Sequence, residues 1–267
     1  MGNTIESLEN TKIKEIRSLN KKKYRTKLKK YLIEGTRIVE EALLHGVRIE
    51  KIILLENYPL HEKLKNPAYL HRLKEIEVLS VTEKVFKSIS NTESPQGIIA
   101  VIHKEEETLE NNRDKISRDP FILILENIQD PGNMGTIIRT AEAAGVDLIL
   151  VTKNSTDPYG EKALRSSMGA IFHIPIVEVE DLEWVNLFKK EKIRLIATDL
   201  SAEKSYSEID YRGGIGLIIG NEGQGISNEL LKLADEKTII PIHGNIESLN
   251  ASIASGILIY KAQEKRR

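Results

Sequence analysis

The chain has 267 residues, of which 40% are hydrophobic, and its formal net charge is −1 at pH 7. That length allows one large domain or two ordinary ones, each with a sizeable core. The lack of cysteine excludes a disulfide framework and thiolate catalysis, and no apolar run reaches the roughly 18 residues that a membrane span needs. Since the N-terminal residues also lack a signal-peptide pattern, we expect a cytoplasmic protein.

Residues 1–104 predict a small α/β domain. Helical spacing over residues 32–46 places Ile38, Ala42 and Leu43 on one face of a helix. Apolar runs then predict a strand over 49–57, a strand followed by a helix over 76–90, and a strand over 94–104. Residues 105–119 are charged and poor in apolar side chains, so we interpret them as a linker.

Residues 120–267 form the second predicted domain, in which apolar strands alternate with helices. The predicted strands cover residues 121–127, 147–153, 172–179, 193–200, 214–220 and 237–242. The predicted helices cover residues 135–145, 161–170, 183–191, 227–234 and 246–260. Continuous apolar strands separated by helices are typical of a mostly parallel sheet covered on both faces. Ligands bind beyond the carboxyl ends of such strands, and the polar clusters of this chain lie there.

The first polar cluster, DPGNMGTIIRTAEAAG, follows the first strand of this domain. Its Asp-Pro-Gly segment predicts a turn, and Gly135 leads into a helix. Asn133 and the nearby backbone N–H groups are placed to face an anion or a polar ligand, and the Arg139 guanidinium suits bidentate pairing with a phosphate. The alternative is an ordinary strand–turn–helix with a surface arginine.

The second cluster, IIGNEGQGIS, begins where another apolar strand ends. Gly220 and two further glycines surround Asn221 and Glu222, and glycine lets a backbone approach a ligand closely. A simple glycine-rich turn is the alternative. Because the segment has neither the dinucleotide fingerprint nor a P-loop lysine, a nucleotide-dependent oxidoreductase is disfavoured.

The third cluster, IPIHGNIESLNASIASG, links the last strand to the last helix. Ser248 and Asn250 open the helix, and either side chain could serve as its N-terminal cap. No nucleophile-elbow pattern surrounds Ser248, which disfavours serine-hydrolase chemistry. The six histidines are scattered and no cysteine is present, so we expect no metal site.

Together these clusters resemble the three motifs of the SpoU (TrmH) family of RNA ribose 2′-O-methyltransferases, of the SPOUT class, in the family's order. The segments YRTKLKKYLIEGTRIVEEALLHG and SPQGIIAVI also resemble the L30e-like substrate-binding domain that precedes many members. The resemblance implies an α/β SPOUT domain with a deep trefoil knot, one of the rare exceptions to unknotted topology, after a smaller L30e-like α/β domain. It also implies a homodimer and S-adenosylmethionine as methyl donor.

The resemblance further assigns roles to individual residues. The catalytic positions are Asn133, Arg139, Glu222, Ser248 and Asn250. The positions that line the methyl-donor pocket are Gly220, Ile240 and Leu249, and Thr198 is a further expected contact. The family assigns removal of the hydroxyl proton to Arg139. An arginine side chain does not readily give up its proton, so it is a poor base. We therefore interpret Arg139 as a clamp on the phosphate beside the reacting ribose.

Basic residues crowd the stretch from Lys21 to Lys30, and we expect Lys22, Lys23, Arg25 and Lys27 to bind the RNA backbone. A solvated helix face is the alternative.

A separate N-terminal domain is more typical of family members that act on ribosomal RNA, so we expect 23S ribosomal RNA as the substrate. Two alternatives stay open, a transfer RNA methyltransferase and a non-catalytic RNA-binding protein of the same fold.

Overall fold

The computed structural model describes residues 4–113 and 119–266, which divide into two compact units. The first unit holds the chain up to Glu106 together with Tyr159–Leu164, and the second holds Glu107–Pro158 and the chain from Arg165 onward. Residues 114–118 of the predicted linker lie outside the described ranges, and the exact domain boundaries stay a prediction. Within the described ranges, no helix combines the length and the apolar character needed to cross a bilayer.

The first unit is built on a four-stranded sheet. Its strands β1 to β4 are Lys30–Glu34, Ile49–Leu55, Glu77–Val81 and Ile98–His103. Its helices α1 to α6 are Thr11–Ser18, Lys22–Leu28, Thr36–Leu44, Leu60–Lys63, Leu70–Glu75 and Glu83–Ile89. A 3₁₀ turn over Pro67–Tyr69 precedes α5. The strand order is β1–β4–β2–β3, and β4 runs antiparallel to both of its neighbours.

The expectation of one helix over residues 32–46 was wrong in its first part, because β1 occupies residues 30–34 and α3 begins only at Thr36. Tyr31 and Ile33 are buried while their neighbours along β1 are half-buried, which is the alternation of a strand. Gly35 separates the two elements with a φ of 116°, a backbone conformation that other residues rarely adopt. The other strands and the helix predicted in this unit are present as β2, β3, α6 and β4.

The second unit is built on a six-stranded sheet. Its strands β5 to β10 are Phe121–Leu125, Leu148–Thr152, Ile176–Val179, Arg194–Thr198, Ile215–Ile219 and Glu236–Thr238. The helices α7 to α11 are Pro131–Ala143, Glu161–Ser167, Glu183–Lys190, Asn228–Leu233 and Ala251–Arg266. The first residues of α8 group with the first unit. A 3₁₀ turn over Ala170–Phe172 follows α8.

All neighbouring strands of this sheet run parallel, in the order β10–β8–β9–β5–β6–β7. Every residue of β5 and β9 is buried, which accounts for their unbroken apolar sequences. On one face the ring edge of Trp184 meets Phe188 of α9, and both pack in the apolar core. The predicted, mostly parallel sheet is therefore confirmed, and the deep trefoil knot stays a prediction.

Two helices of the second unit begin four or five residues away from their predicted starts. Helix α7 begins at Pro131, four residues earlier, because the Asp130 carboxylate caps it by accepting the Asn133 N–H at 2.8 Å. Helix α11 begins at Ala251, five residues later, because the Asn250 side-chain oxygen accepts the Ser252 N–H at 2.9 Å. Asn250 therefore caps α11.

All six strands of the second unit are shorter than predicted, and two of them differ most. Strand β7 begins only at Ile176, after the 3₁₀ turn, and β10 ends at Thr238 rather than at residue 242. The residues after β10 are free to form the wall of a cavity, which is described below.

Helices α7 and α11 pack closely within the second unit. A Cβ placed on Gly256 of α11 would lie 3.8 Å from the Thr140 methyl carbon of α7. Ser255 is fully buried, and its hydroxyl donates a hydrogen bond to the Ala251 carbonyl at 2.6 Å. Near the end of α11, the Gln263 amide donates to the Ala144 carbonyl at 2.7 Å. The small residues of α11 therefore serve a close helix–helix contact inside one chain.

Candidate active site

Three of the predicted catalytic residues, Asn133, Glu222 and Asn250, form a network around the carboxylate of Glu222, in the loop that follows β9. Its Oε1 atom accepts the Asn133 amide at 2.9 Å and the Asp130 backbone N–H at 3.3 Å. Its Oε2 atom accepts the Gln129 backbone N–H at 3.2 Å. One carboxylate thus joins the loop after β9 to the start of α7, which follows β5.

A second hydrogen bond extends this network to the third motif. The Asn250 amide donates to the Asn133 side-chain oxygen at 3.0 Å. Because a carboxylate only accepts hydrogen bonds, Asn133 must turn its NH₂ group toward Glu222 and its oxygen toward Asn250. Asn250 must then turn its own oxygen toward the N–H groups of α11. The orientation of each amide therefore follows from the charge on Glu222.

The Glu222 carboxyl is held in its ionised form. Partial burial acts to raise its pKa, but the hydrogen bonds from Asn133 and from the backbone outweigh burial, so the pKa lies below its ordinary value. Both oxygens are also occupied by donors. At neutral pH, Glu222 is therefore suited to position Asn133 and poorly suited to accept a substrate proton.

The glycine-rich loop is compact because Asn221 forms hydrogen bonds across it with both its backbone and its side chain. The backbone groups of Asn221 and Gly225 exchange two hydrogen bonds of 3.0 Å, and the Asn221 side-chain oxygen accepts the Gly223 N–H at 2.9 Å. Inside this loop, a Cβ on Gly220 would lie 2.5 Å from the Ile226 backbone nitrogen, with the Gly225 carbonyl equally crowded. Only glycine fits at position 220.

A cavity of about 400 Å³ opens beside this loop. The four residues predicted to line the methyl-donor pocket, Thr198, Gly220, Ile240 and Leu249, all line it, as do Glu222 and Ser248. The volume falls in the range of small-molecule sites, and the combination of apolar walls with backbone polar groups fits an adenosine joined to an amino acid. These residues could hold S-adenosylmethionine.

Arg139 is not part of the hydrogen-bonded network in the single chain. It is exposed on α7, six residues after Asn133, which corresponds to about 9 Å along the helix axis. In residues 4–113 and 119–266, nothing forms a hydrogen bond or ion pair with its guanidinium. Asn133, Glu222 and Asn250 are thus brought together, Ser248 lies at the adjoining cavity, and Arg139 is available to an external anion.

The predicted RNA-binding residues lie on α2 of the first unit. Lys22, Lys23 and Lys27 are exposed, and within the described chain none of them pairs with a carboxylate. Arg25 differs because its guanidinium donates to the Leu19 carbonyl at 2.9 Å. Part of its hydrogen-bonding capacity is therefore used to hold α2 in place.

Sequence reasoning missed Glu126, which follows β5 and is only 7% exposed. Its carboxylate accepts the Ser227 hydroxyl at 2.6 Å and the Ser227 backbone N–H at 2.8 Å, and Ser227 caps α10. These bonds anchor the far end of the glycine-rich loop. A sequence feature could have identified Glu126, because it directly follows five apolar strand residues. A carboxylate buried in that place must find hydrogen-bond partners.

Comparison with known proteins agrees with this geometry. The model of the SpoU rRNA Methylase family matches residues 120–260, which contain the whole network and the cavity. The chain belongs to the SpoU rRNA methylase family. A second model, of the MRM3-like substrate binding domain, matches residues 10–100 and covers most of the first unit.

Relatives of this SpoU protein align along nearly its whole length. The 23S rRNA (guanosine(2553)-2′-O)-methyltransferase RlmP of Bacillus subtilis is 36% identical over 96% of this chain and 97% of its own. The AdoMet-bound rRNA methyltransferase of Sinorhizobium meliloti is 32% identical, with a TM-score of 0.84 over 98% of this chain and 97% of its own. The AdoMet complex of the SpoU methyltransferase AviRb from Streptomyces viridochromogenes is 26% identical, with a TM-score of 0.85 over 96% and 98%.

Replacing Gly220 by alanine should disrupt the cavity of this SpoU protein. The added Cβ meets backbone atoms that cannot rotate away, so we expect the free energy of unfolding to fall by about 1–3 kcal/mol and S-adenosylmethionine binding to be lost. Thermal unfolding and titration calorimetry measure the two effects.

Gly223→Ala is the matched control for Gly220→Ala. In the same loop, a Cβ at position 223 approaches nothing closer than the Asn221 side-chain oxygen at 3.7 Å. This variant should unfold like wild type, and thermal unfolding is the measurement for which it is the control, because Gly223 also lines the cavity. An equal loss of unfolding free energy in the two variants would contradict the close-packing argument.

Proposed function

We propose that this protein transfers a methyl group from S-adenosylmethionine to a ribose 2′-hydroxyl of 23S ribosomal RNA. The observation that carries the proposal is the meeting of the Glu222–Asn133–Asn250 network with a cavity of about 400 Å³ at one end of the sheet. Membership of the SpoU family supports it. A ribosomal RNA substrate implies that the enzyme works in the cytoplasm.

Two observations favour ribosomal RNA over transfer RNA. The first unit matches a substrate-binding domain model, and the Bacillus subtilis relative bears the name of a 23S rRNA methyltransferase. Transfer RNA stays the second candidate because relatives from Staphylococcus carry names that include both tRNA and rRNA. The non-catalytic alternative is disfavoured, since the network and the cavity are both intact.

In the proposed mechanism, the chain orients the two reactants. When bound, S-adenosylmethionine supplies an electrophilic methyl group on its sulfonium sulfur. Thr198, Gly220, Ile240 and Leu249 line the cavity that would hold it. Asn133 and Asn250, fixed by Glu222, present rigid amide groups to the ribose. Such positioning lowers the barrier because the entropy of alignment is lost on binding rather than during the reaction.

Arg139 would hold the phosphate next to the reacting ribose. A guanidinium binds anions through a planar fork of N–H donors and offers no lone pair with which to act as a base. Glu222 is unsuited to that role because its oxygens already accept hydrogen bonds. We therefore assign the 2′-hydroxyl proton to a non-bridging oxygen of the phosphate that Arg139 holds.

We also propose that the enzyme acts as a homodimer. Ile253 and Tyr260 of α11 are 57% and 54% exposed, and they lie seven residues apart on one face of the helix. A second copy would cover this apolar face. Because α11 packs against α7, which carries Arg139, an interface along α11 would lie near the reacting groups.

The direct test is transfer of a radiolabelled methyl group to unmodified 23S, 16S and transfer RNA, assayed in parallel. We expect label on 23S ribosomal RNA alone, in a ribose that then resists alkaline cleavage. The name of the Bacillus subtilis relative makes guanosine 2553 the first nucleotide to map. Label on transfer RNA alone would favour the second candidate, and no label with bound S-adenosylmethionine would contradict the proposed activity.

Arg139→Ala should lower the rate of methyl transfer by about 100-fold, because an interaction with the reacting charge distribution is removed. Arg139→Lys should also be slow, since a point charge cannot reproduce the two-pronged contact of a guanidinium. S-adenosylmethionine affinity should be unchanged in both variants, because Arg139 does not line the cavity. Wild-type turnover of Arg139→Ala would contradict the clamp.

Replacing Lys22, Lys23 and Lys27 by glutamine should weaken the salt dependence of RNA binding. Each lysine that leaves a phosphate lowers the slope of log affinity against log salt, so the triple variant should lose about 2 units of slope. Fluorescence anisotropy over a range of salt concentrations measures it.

Lys12, Lys14 and Lys87 provide the matched control because each of these exposed lysines of the first unit pairs with a glutamate. Their triple glutamine variant should keep the wild-type slope. If both triple variants lost the same slope, α2 would have no special role in RNA binding.

A further inference from the structure

An exposed aromatic ring lies in the middle of the basic stretch on α2. Tyr24 has 37% of its surface exposed, and nothing within residues 4–113 and 119–266 forms a hydrogen bond or a ring contact with its side chain. Buried tyrosine hydroxyls usually find a partner, and exposed tyrosine rings are frequent at binding surfaces. A single exposed ring is unremarkable by itself, so its surroundings decide what it does.

Lysines flank Tyr24 on both sides along the helix. Lys27 follows it by three residues within α2, about one helical turn away on the same face, and Lys21 precedes it by three residues as the extended N-cap residue of the helix. The Tyr24 backbone N–H donates to the Lys21 carbonyl at 3.0 Å, which forms the first turn of α2. Tyr24 therefore has a cationic residue on either side of it along the chain.

The positive charge is left unneutralised specifically around this ring. In the described residues, neither Lys21 nor Lys27 pairs with a carboxylate. The next lysines along the chain are paired, Lys29 with Glu106 at 2.8 Å and Lys30 with Glu15 at 3.0 Å. The charges nearest to Tyr24 thus remain available to an external polyanion.

The backbone of α2, which carries the ring, is anchored at both ends. Arg25 donates to the Leu19 carbonyl before the helix, and Leu28 packs against the apolar core of the first unit. At the other end, Lys29 adopts a left-handed conformation with a φ of 50°, and its backbone N–H donates a hydrogen bond to the Arg25 carbonyl. Because this backbone is already ordered, ligand binding has to fix only the two side-chain torsions of Tyr24.

We propose that Tyr24 stacks on one unpaired base of the RNA while Lys21 and Lys27 hold the phosphates on either side of that nucleotide. This inference rests on the proposed RNA substrate and adds the form of RNA that the first unit selects. In a paired RNA helix the base faces are covered by their neighbours, and the deep, narrow major groove excludes side chains. An exposed ring can therefore use its face only on a single-stranded or looped segment.

The test compares the full-length protein and its variants by fluorescence anisotropy. The probes are a labelled RNA strand of about 16 nucleotides and the same strand annealed to its complement. Wild type should prefer the single strand. Tyr24→Ala should bind the single strand about tenfold more weakly and the duplex almost unchanged, while Tyr24→Phe should keep the preference because it keeps the ring.

Two controls separate stacking from a general loss of apolar surface or of fold. Leu44 is 41% exposed in the same unit and lies outside the basic stretch, so Leu44→Ala should behave as wild type. The salt slope of Tyr24→Ala should also equal that of wild type, because stacking releases no counterions. A fluorescent base analogue in the single strand should be quenched by wild type and by Tyr24→Phe, and not by Tyr24→Ala.

Several outcomes would overturn the inference. These are an unchanged single-strand affinity in Tyr24→Ala, an equal loss in Leu44→Ala, or an equal loss for single strand and duplex. The proposed function fails separately, when the protein binds RNA but transfers no methyl group. An enzyme that methylates RNA and yet ignores the change at Tyr24 would overturn the stacking role alone.

Discussion

The hydrogen bonds of one carboxylate organise the site. Glu222 is a charged acceptor that leaves bulk water only because three donors, the Asn133 amide and the backbone N–H groups of Gln129 and Asp130, take the place of solvent. The ionised group cannot donate, so it sets the direction of Asn133 and through it that of Asn250. Loss of that charge would remove the acceptor that joins the loop after β9 to the start of α7 and orients Asn133 toward Asn250.

The same region is constrained by close packing. Gly220 lies against the backbone of Gly225 and Ile226, which keeps the loop after β9 narrow and leaves the adjoining cavity open. Glu126 holds the end of that loop through Ser227, and the small residues of α11 let this helix approach α7. Hydrogen bonds and close packing therefore hold the same loop after β9 and the same helices α7 and α11. Side chains of a site stay aligned when both kinds of contact support them.

The two units present different chemistry to RNA. The second unit offers neutral amides and one exposed guanidinium near a cavity, which suits orientation of a single ribose and its phosphate. The first unit offers unpaired lysines and an exposed tyrosine on α2, which suits a sequence-tolerant grip on a strand. The contacts of the first unit would supply binding energy from parts of the RNA remote from the reaction. That energy can be used to position the reacting ribose at the second unit.

The sequence by itself determined the family, the parallel sheet and the identity of the polar clusters, because apolar strands buried on both faces and ordered motifs are local patterns. It did not determine where β1, β7, α7 and α11 begin. Strand β1 was taken for helix because five residues before Gly35 carry too little periodicity to separate the two. Only the tertiary structure decided that Asn250 caps α11, that Glu126 is a buried anchor and that Arg139 lies outside the network. Those facts depend on which distant donors reach each side chain, and spacing along the chain does not record that.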